Sequence, residues 1–147
     1  MRRHCRLLVL WLALPVLAAL PQRNPQGELP SLKEHARTAK PADATLANAR
    51  VVRQEIEIAD QCFKDGDVDK AQAAVDDAVH YAELADAALQ KNSKHLKEAE
   101  IIMREAGRRL EEIRRSLAFD DQAPVQQAED RLEKIRRDLL AQMFQAK

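Results

Sequence analysis

The 147-residue sequence predicts an all-α protein: an antiparallel bundle of about four long, coiled-coil-like helices, preceded by a signal peptide and a flexible linker. Three observations predict it. Apolar residues recur at alternating spacings of three and four through four successive runs after Ala42. Short segments of helix-ending and helix-starting residues separate the runs. A basic, then apolar, then Pro-rich N-terminus stands ahead of them. The chain divides accordingly into a leader over 1–19, a linker over 20–41 and a helical bundle domain over 42–147.

The leader comes first. Arg2, Arg3 and Arg6 precede an unbroken apolar run from Leu7 to Leu14, and small residues follow at Ala18 and Ala19. That order is the basic, hydrophobic and cleavage-region sequence of a secretory signal peptide. A cut after Ala18 places Val16 and Ala18 at the positions that signal peptidase inspects, with Ala19 as the near alternative. The apolar stretch from Leu7 to Leu20 contains Pro15 and falls short of the roughly 20 residues that a membrane-spanning helix needs. The expectation is an exported bacterial protein using an ordinary Sec-type route, periplasmic or secreted, with no stable membrane anchor after cleavage.

Pro21, Pro25, Gly27, Pro30 and Pro41 punctuate the next segment among polar residues. Such a composition predicts a flexible tether, because too little apolar surface is available to offset the entropy of ordering it.

The four runs define the domain. The first carries Ala49, Val52, Ile56, Ala59 and Phe63; the second Val68, Ala71, Val75, Ala78, Ala82, Ala85 and Leu89. The third carries Leu96, Ala99, Met103, Ala106, Leu110, Ile113 and Leu117; the fourth Val125, Ala128, Leu132, Ile135 and Leu139. A sustained 3.5-residue apolar repeat keeps one seam facing a neighbouring helix, which is bundle packing. Asp65-Gly66-Asp67 supplies a helix-ending glycine and a capping aspartate; Lys91-Asn92-Ser93 offers Ser93 as the next cap. Asp120-Asp121 followed by Pro124 starts the last helix, where a missing amide costs nothing. The second run presents alanines, so its hairpin should be narrow, whereas the third and fourth present Leu, Ile and Met. Gly107, beside Ala106 in mid-helix, suggests a close helix contact or a slight bend rather than a functional hinge.

Charge and chemistry narrow the function. Lys plus Arg and Asp plus Glu are 24 each, which leaves no electrostatic footprint for nucleic acid. From Asp65 to Gln90 the balance is six charges negative and from Lys91 to Ala118 three positive, which predicts that the second and third helices pair. Aromatics are 3% of residues and the one Trp, Trp11, lies in the leader, so an aromatic-lined enzyme pocket is not expected. Asp76, Asp77 and His80 lie on the flanks of the core stripe rather than on it, where ligands of helical-bundle metal sites stand, and are read as surface residues. Cys62 adjoins a core position and is read as a buried, inert thiol. Ser31, Ser93 and Ser116 build no nucleophilic constellation, and no Gly-rich phosphate loop is present in the sequence. The protein is therefore expected to be non-enzymatic and to need no cofactor or metal.

Ile58, Ala59, Gly66, Val68, Ala71, Val75 and Ala78 fall at spacings similar to the small and apolar signature positions of the tetratricopeptide repeat. The first hairpin thus resembles that family's helix-turn-helix unit, which implies peptide or protein binding. Glu55 and Cys62 stand where the family prefers aromatics, and no second copy follows at a period near 34. The leading expectation is an adaptor, scaffold or assembly partner working through a partner protein or self-association. The alternative is an envelope stress chaperone or metal-responsive binder, although the Leu-Thr-x-x-Gln signature of the known exported helical chaperones is not in the sequence. Val51, Ile58, Val79, Tyr81, Ile101, Leu140 and Phe144 fall off the main seams and form the candidate partner surface, the competing reading being a wider core stripe.

Overall fold

In the computed structural model, which describes residues 25–89 and 94–145, the protein is an all-α bundle. The leader expected over 1–19 and the Ser93 cap lie outside the described residues. Five helices follow in order: α1 (Pro25–Thr38), α2 (Ala44–Lys64), α3 (Val68–Leu89), α4 (Leu96–Ser116) and α5 (Gln122–Gln145). The last four coincide with the four apolar runs, and their seams meet in one core in which Ile56, Ile102, Met103, Leu110, Leu132 and Leu139 are among the largest fully buried side chains.

The turns follow from local chemistry. Gly66 takes φ +79° at the end of α2, and the amides of Gly66 and Asp67 donate to the carbonyls of Phe63 and Cys62, closing the helix with a left-handed glycine. Asp67 then caps α3, its carboxylate accepting from the Lys70 amide at 3.4 Å. The α4 cap differs from the expected one. The helix begins after His95, whose φ of 64° is left-handed, a conformation uncommon outside glycine though less so for His than for most residues. A short 3-10 turn over Phe119–Asp121 leads into α5, with Pro124 in its first turn.

Each hairpin, α2 with α3 and α4 with α5, is antiparallel. The hairpins stack so that α4 lies on α2 and α5 on α3, while α3 and α4, though consecutive, sit across the diagonal. Surface ion pairs give the sense of the stacking. Arg50 to Glu98, Arg53 to Glu105 and Asp60 to Arg109 rise together in number, so α2 and α4 run parallel. The predicted pairing of the acidic helix α3 with the basic helix α4 is therefore not what occurs. Acidic α3 meets α5 through Glu83 to Arg131 at 2.7 Å, and the bases that reach α4 carboxylates from other helices are Arg50 and Arg53 of α2 and Arg136 of α5.

The segment read as a flexible tether is corrected most. Residues 25–38 form α1, antiparallel to α2. Beneath the prolines runs a four-residue apolar stripe, Leu29, Leu32, Ala36 and Ala39, that packs on Ala47 and Val51 of α2. Ser31 and Thr38 donate to carbonyls of their own helix, at Glu28 and Glu34, and Arg37 forms a two-pronged pair with Glu34. α2 consequently has neighbours on three sides, which explains why 13 of its 21 residues are buried against seven of 22 in α3.

Candidate interaction surfaces

The seven off-seam residues do not form one surface. Val51 and Ile58 are buried, at 0% and 8% exposure, which corrects their assignment to a partner face. Val51 is covered by α1, and Ile58 belongs to the main core because α2 is enclosed on several sides. Val79 and Tyr81 are half-buried and pack against that core; Ile101 and Leu140 are also half-buried. Phe144 alone of the seven is well exposed, at 73%. Phe119 and Leu84 are exposed as well and had no periodicity to mark them, Phe119 because it lies in a turn.

Two features gather around α1. The first is a charged node. Lys33 of α1 places its Nζ 2.7 Å from Glu55 Oε1 of α2 and 2.6 Å from Asp77 Oδ2 of α3. The Glu55 side chain is almost wholly buried, and the contact of its Oε1 with Lys33 has the distance of an ion pair but not the angle of a hydrogen bond. Burial pushes the Glu55 carboxyl above the usual carboxylate range, and Lys33 offsets only part of that. Burial alone lowers the Lys33 ammonium, but its hydrogen bond to Asp77 and the negative charges of Asp77 and Glu55 outweigh that and hold the ammonium above the usual lysine range. Lys33 also lies 5.4 Å from the centre of the Tyr81 ring. A buried acid of this kind is costly unless a cation accompanies it.

The second feature is a groove of about 600 Å³ between α1 and α3. It is lined by Pro30, Ala36, Ala39, Pro41, Ala44, Asn48, Tyr81, Leu84, Ala87 and Ala88 together with the charged Lys33, Glu34 and Arg37. α3 packs on α2 and α5, and on the side that faces this groove it meets α1 through Lys33, which reaches Asp77 and Tyr81.

The other candidate groups are placed as follows. Asp77 is engaged with Lys33, and His80 is exposed with its ring edge-on to Tyr81. Among the described residues no group of three or more His, Cys, Asp or Glu side chains is arranged to hold a metal ion. Cys62 is buried, and burial followed by the charge of Asp67 pushes its thiol up, away from the reactive thiolate. No helix of the described residues is long and apolar enough to cross a membrane.

Comparison with protein families, with curated proteins and with solved structures gives no match to this chain.

Proposed function

We propose that this protein is exported and acts without catalysis, through protein–protein contacts, as an adaptor, scaffold or assembly partner. The observation that carries the reading is the apolar groove between α1 and α3, where Tyr81 and Leu84 face an opening of about 600 Å³. Hairpins stacked in parallel on one another are the building plan of helical-repeat proteins, which recognise partners on the faces that the stack leaves open. The tetratricopeptide-like spacing in α2 and α3 supports the same class of function. A groove of this size accepts a few side chains from one helix or extended segment, not a large flat interface.

Light scattering coupled to size exclusion, over a dilution series, tests it together with Leu84→Glu. A dimer that dissociates on this substitution makes the groove a self-association face. A monomer directs the groove to a different protein, and a photo-crosslinking residue at position 84 then captures it in the source cell. A monomer whose position-84 crosslinks do not exceed those from Glu112 overturns the reading. Export is tested separately by N-terminal sequencing: the isolated protein is expected to begin at Ala19 or Leu20, and retention of Met1 overturns that part.

A further inference from the structure

Of the five helices, α1 is the most weakly held. Ala36 is the one buried residue among its described side chains, and the helix packs chiefly on α2. The cluster beneath it, Ala36 with Ala47 and Val51, is small and is joined to the main core through the partly buried Leu29 and Tyr81. Its 14 residues include Gly27 and an internal Pro30, and so short a helix is marginal in water without its packing. Yet it covers the apolar side chain of Val51, at 0% exposure, beside the buried Glu55 carboxylate.

We propose that α1 is a releasable strap, clamped by Lys33, over a docking face on α2 and α3 for an amphipathic helix of a partner protein. The occupant presents small apolar residues at three- and four-residue spacing and one lysine or arginine, the chemistry by which α1 itself is held. Charge complementarity selects it. Glu55 and Asp77 sit side by side on that face, α3 is strongly acidic, and an occupant without a cation leaves Glu55 buried and unpaired. The turn over 39–43, closed by the Asp43 amide donating to Lys40, is the hinge. Release of α1 removes one wall of the groove and leaves the Val51 face of α2 continuous with Tyr81 and Leu84 of α3. The inference deepens the partner-contact reading and relies on it for what the face is for, whereas the strap itself stands on α1 alone.

Two measurements on the full chain test it. In native-state hydrogen exchange the α1 amides are expected to exchange at least about 100-fold faster than those of central α2 while the bundle stays folded. Lys33→Met is expected to raise α1 exchange about tenfold further and leave α4 and α5 unchanged. Leu32→Glu, which loosens the apolar grip instead, is expected to act in the same direction. Exchange of α1 in concert with α2–α5 overturns the strap, whatever the position-84 crosslinks show. Fluorescence anisotropy with a labelled peptide of residues 25–39 then probes the face. The peptide is expected to bind the Lys33→Met and Leu32→Glu chains at least about tenfold more tightly than the unaltered chain, in which α1 competes at high effective concentration. Its Lys33→Glu form is expected not to bind. Equal binding to all chains, or binding to none, overturns the docking face even where α1 exchanges fast.

Discussion

The two hairpins are built to the same length and topology from opposite materials. In α2–α3 the α3 side of the seam is alanine: Ala71, Ala78, Ala82 and Ala85 are all fully buried. In α4–α5 the seam is Ile102, Met103, Leu110, Leu132 and Leu139. Small side chains bring helices together by letting backbones approach, and large ones by filling the space between them. The first arrangement has no room to gain atoms and the second none to lose them. The acidic, alanine-rich hairpin is also the one that α1 covers and that borders the groove, so the proposed interaction surface lies on the hairpin whose own core is thin.

The sharpest test of this contrast exchanges the materials. Leu110→Ala or Leu132→Ala is expected to cost about 3 kcal/mol by leaving a cavity, and Ala78→Leu or Ala82→Leu about 2 kcal/mol or more by forcing α2 and α3 apart. Urea unfolding followed by circular dichroism measures both, and a tolerated Ala78→Leu breaks the comparison.

The glycines give a smaller pair of opposite sign. Gly66→Ala is expected to lose about 1 kcal/mol because its φ of +79° is strained for any side chain. Gly107→Ala is expected to gain about 1 kcal/mol, since nothing lies within 4 Å of a Cβ built there and alanine is the better helix former. The close helix contact that the sequence suggested at Gly107 is not where the hairpins meet.

The smallest effect is on pH. The Glu55 carboxyl is raised in the folded protein, so the folded state holds its proton more tightly than the unfolded chain. Its contribution to stability therefore grows as pH falls through the raised value and shrinks as pH rises. The raised Lys33 ammonium works on the other side: its contribution is complete below the ordinary lysine value of 10.5 and is lost only as pH climbs above that. Mild acid is thus expected not to release α1. The melting temperature of the unaltered protein should rise relative to Glu55→Gln between pH 7 and pH 5, and a constant difference between the two sinks this account.

The four long helices were legible because an error-free heptad rhythm leaves no other structure that buries the stripe. α1 was not, because Pro25, Gly27, Pro30 and Pro41 dominate the composition while the stripe that makes it a helix has only four members, and its stability comes from Val51 and Ala47 far along the chain. The same omission hid the fate of Val51: a residue off a two-partner seam is exposed, but α2 has three partners. The pairing of the hairpins was missed for a different reason. Net charge per helix says nothing about which turn of a helix meets which, and the ion pairs are set by the individual positions of Arg50, Arg53 and Asp60. The groove needed both α1 and α3 to exist before it could be seen.

The diagonal step between α3 and α4 has a consequence for how the chain reaches this state. Within each hairpin every contact closes over a short loop, so each can form from a contiguous stretch of chain. The contacts joining them span large separations, 48 residues from Arg50 to Glu98 and 52 from Arg53 to Glu105. Searching for such distant partners sets the pace of folding. Closure within each hairpin is therefore expected to precede the docking of one hairpin on the other.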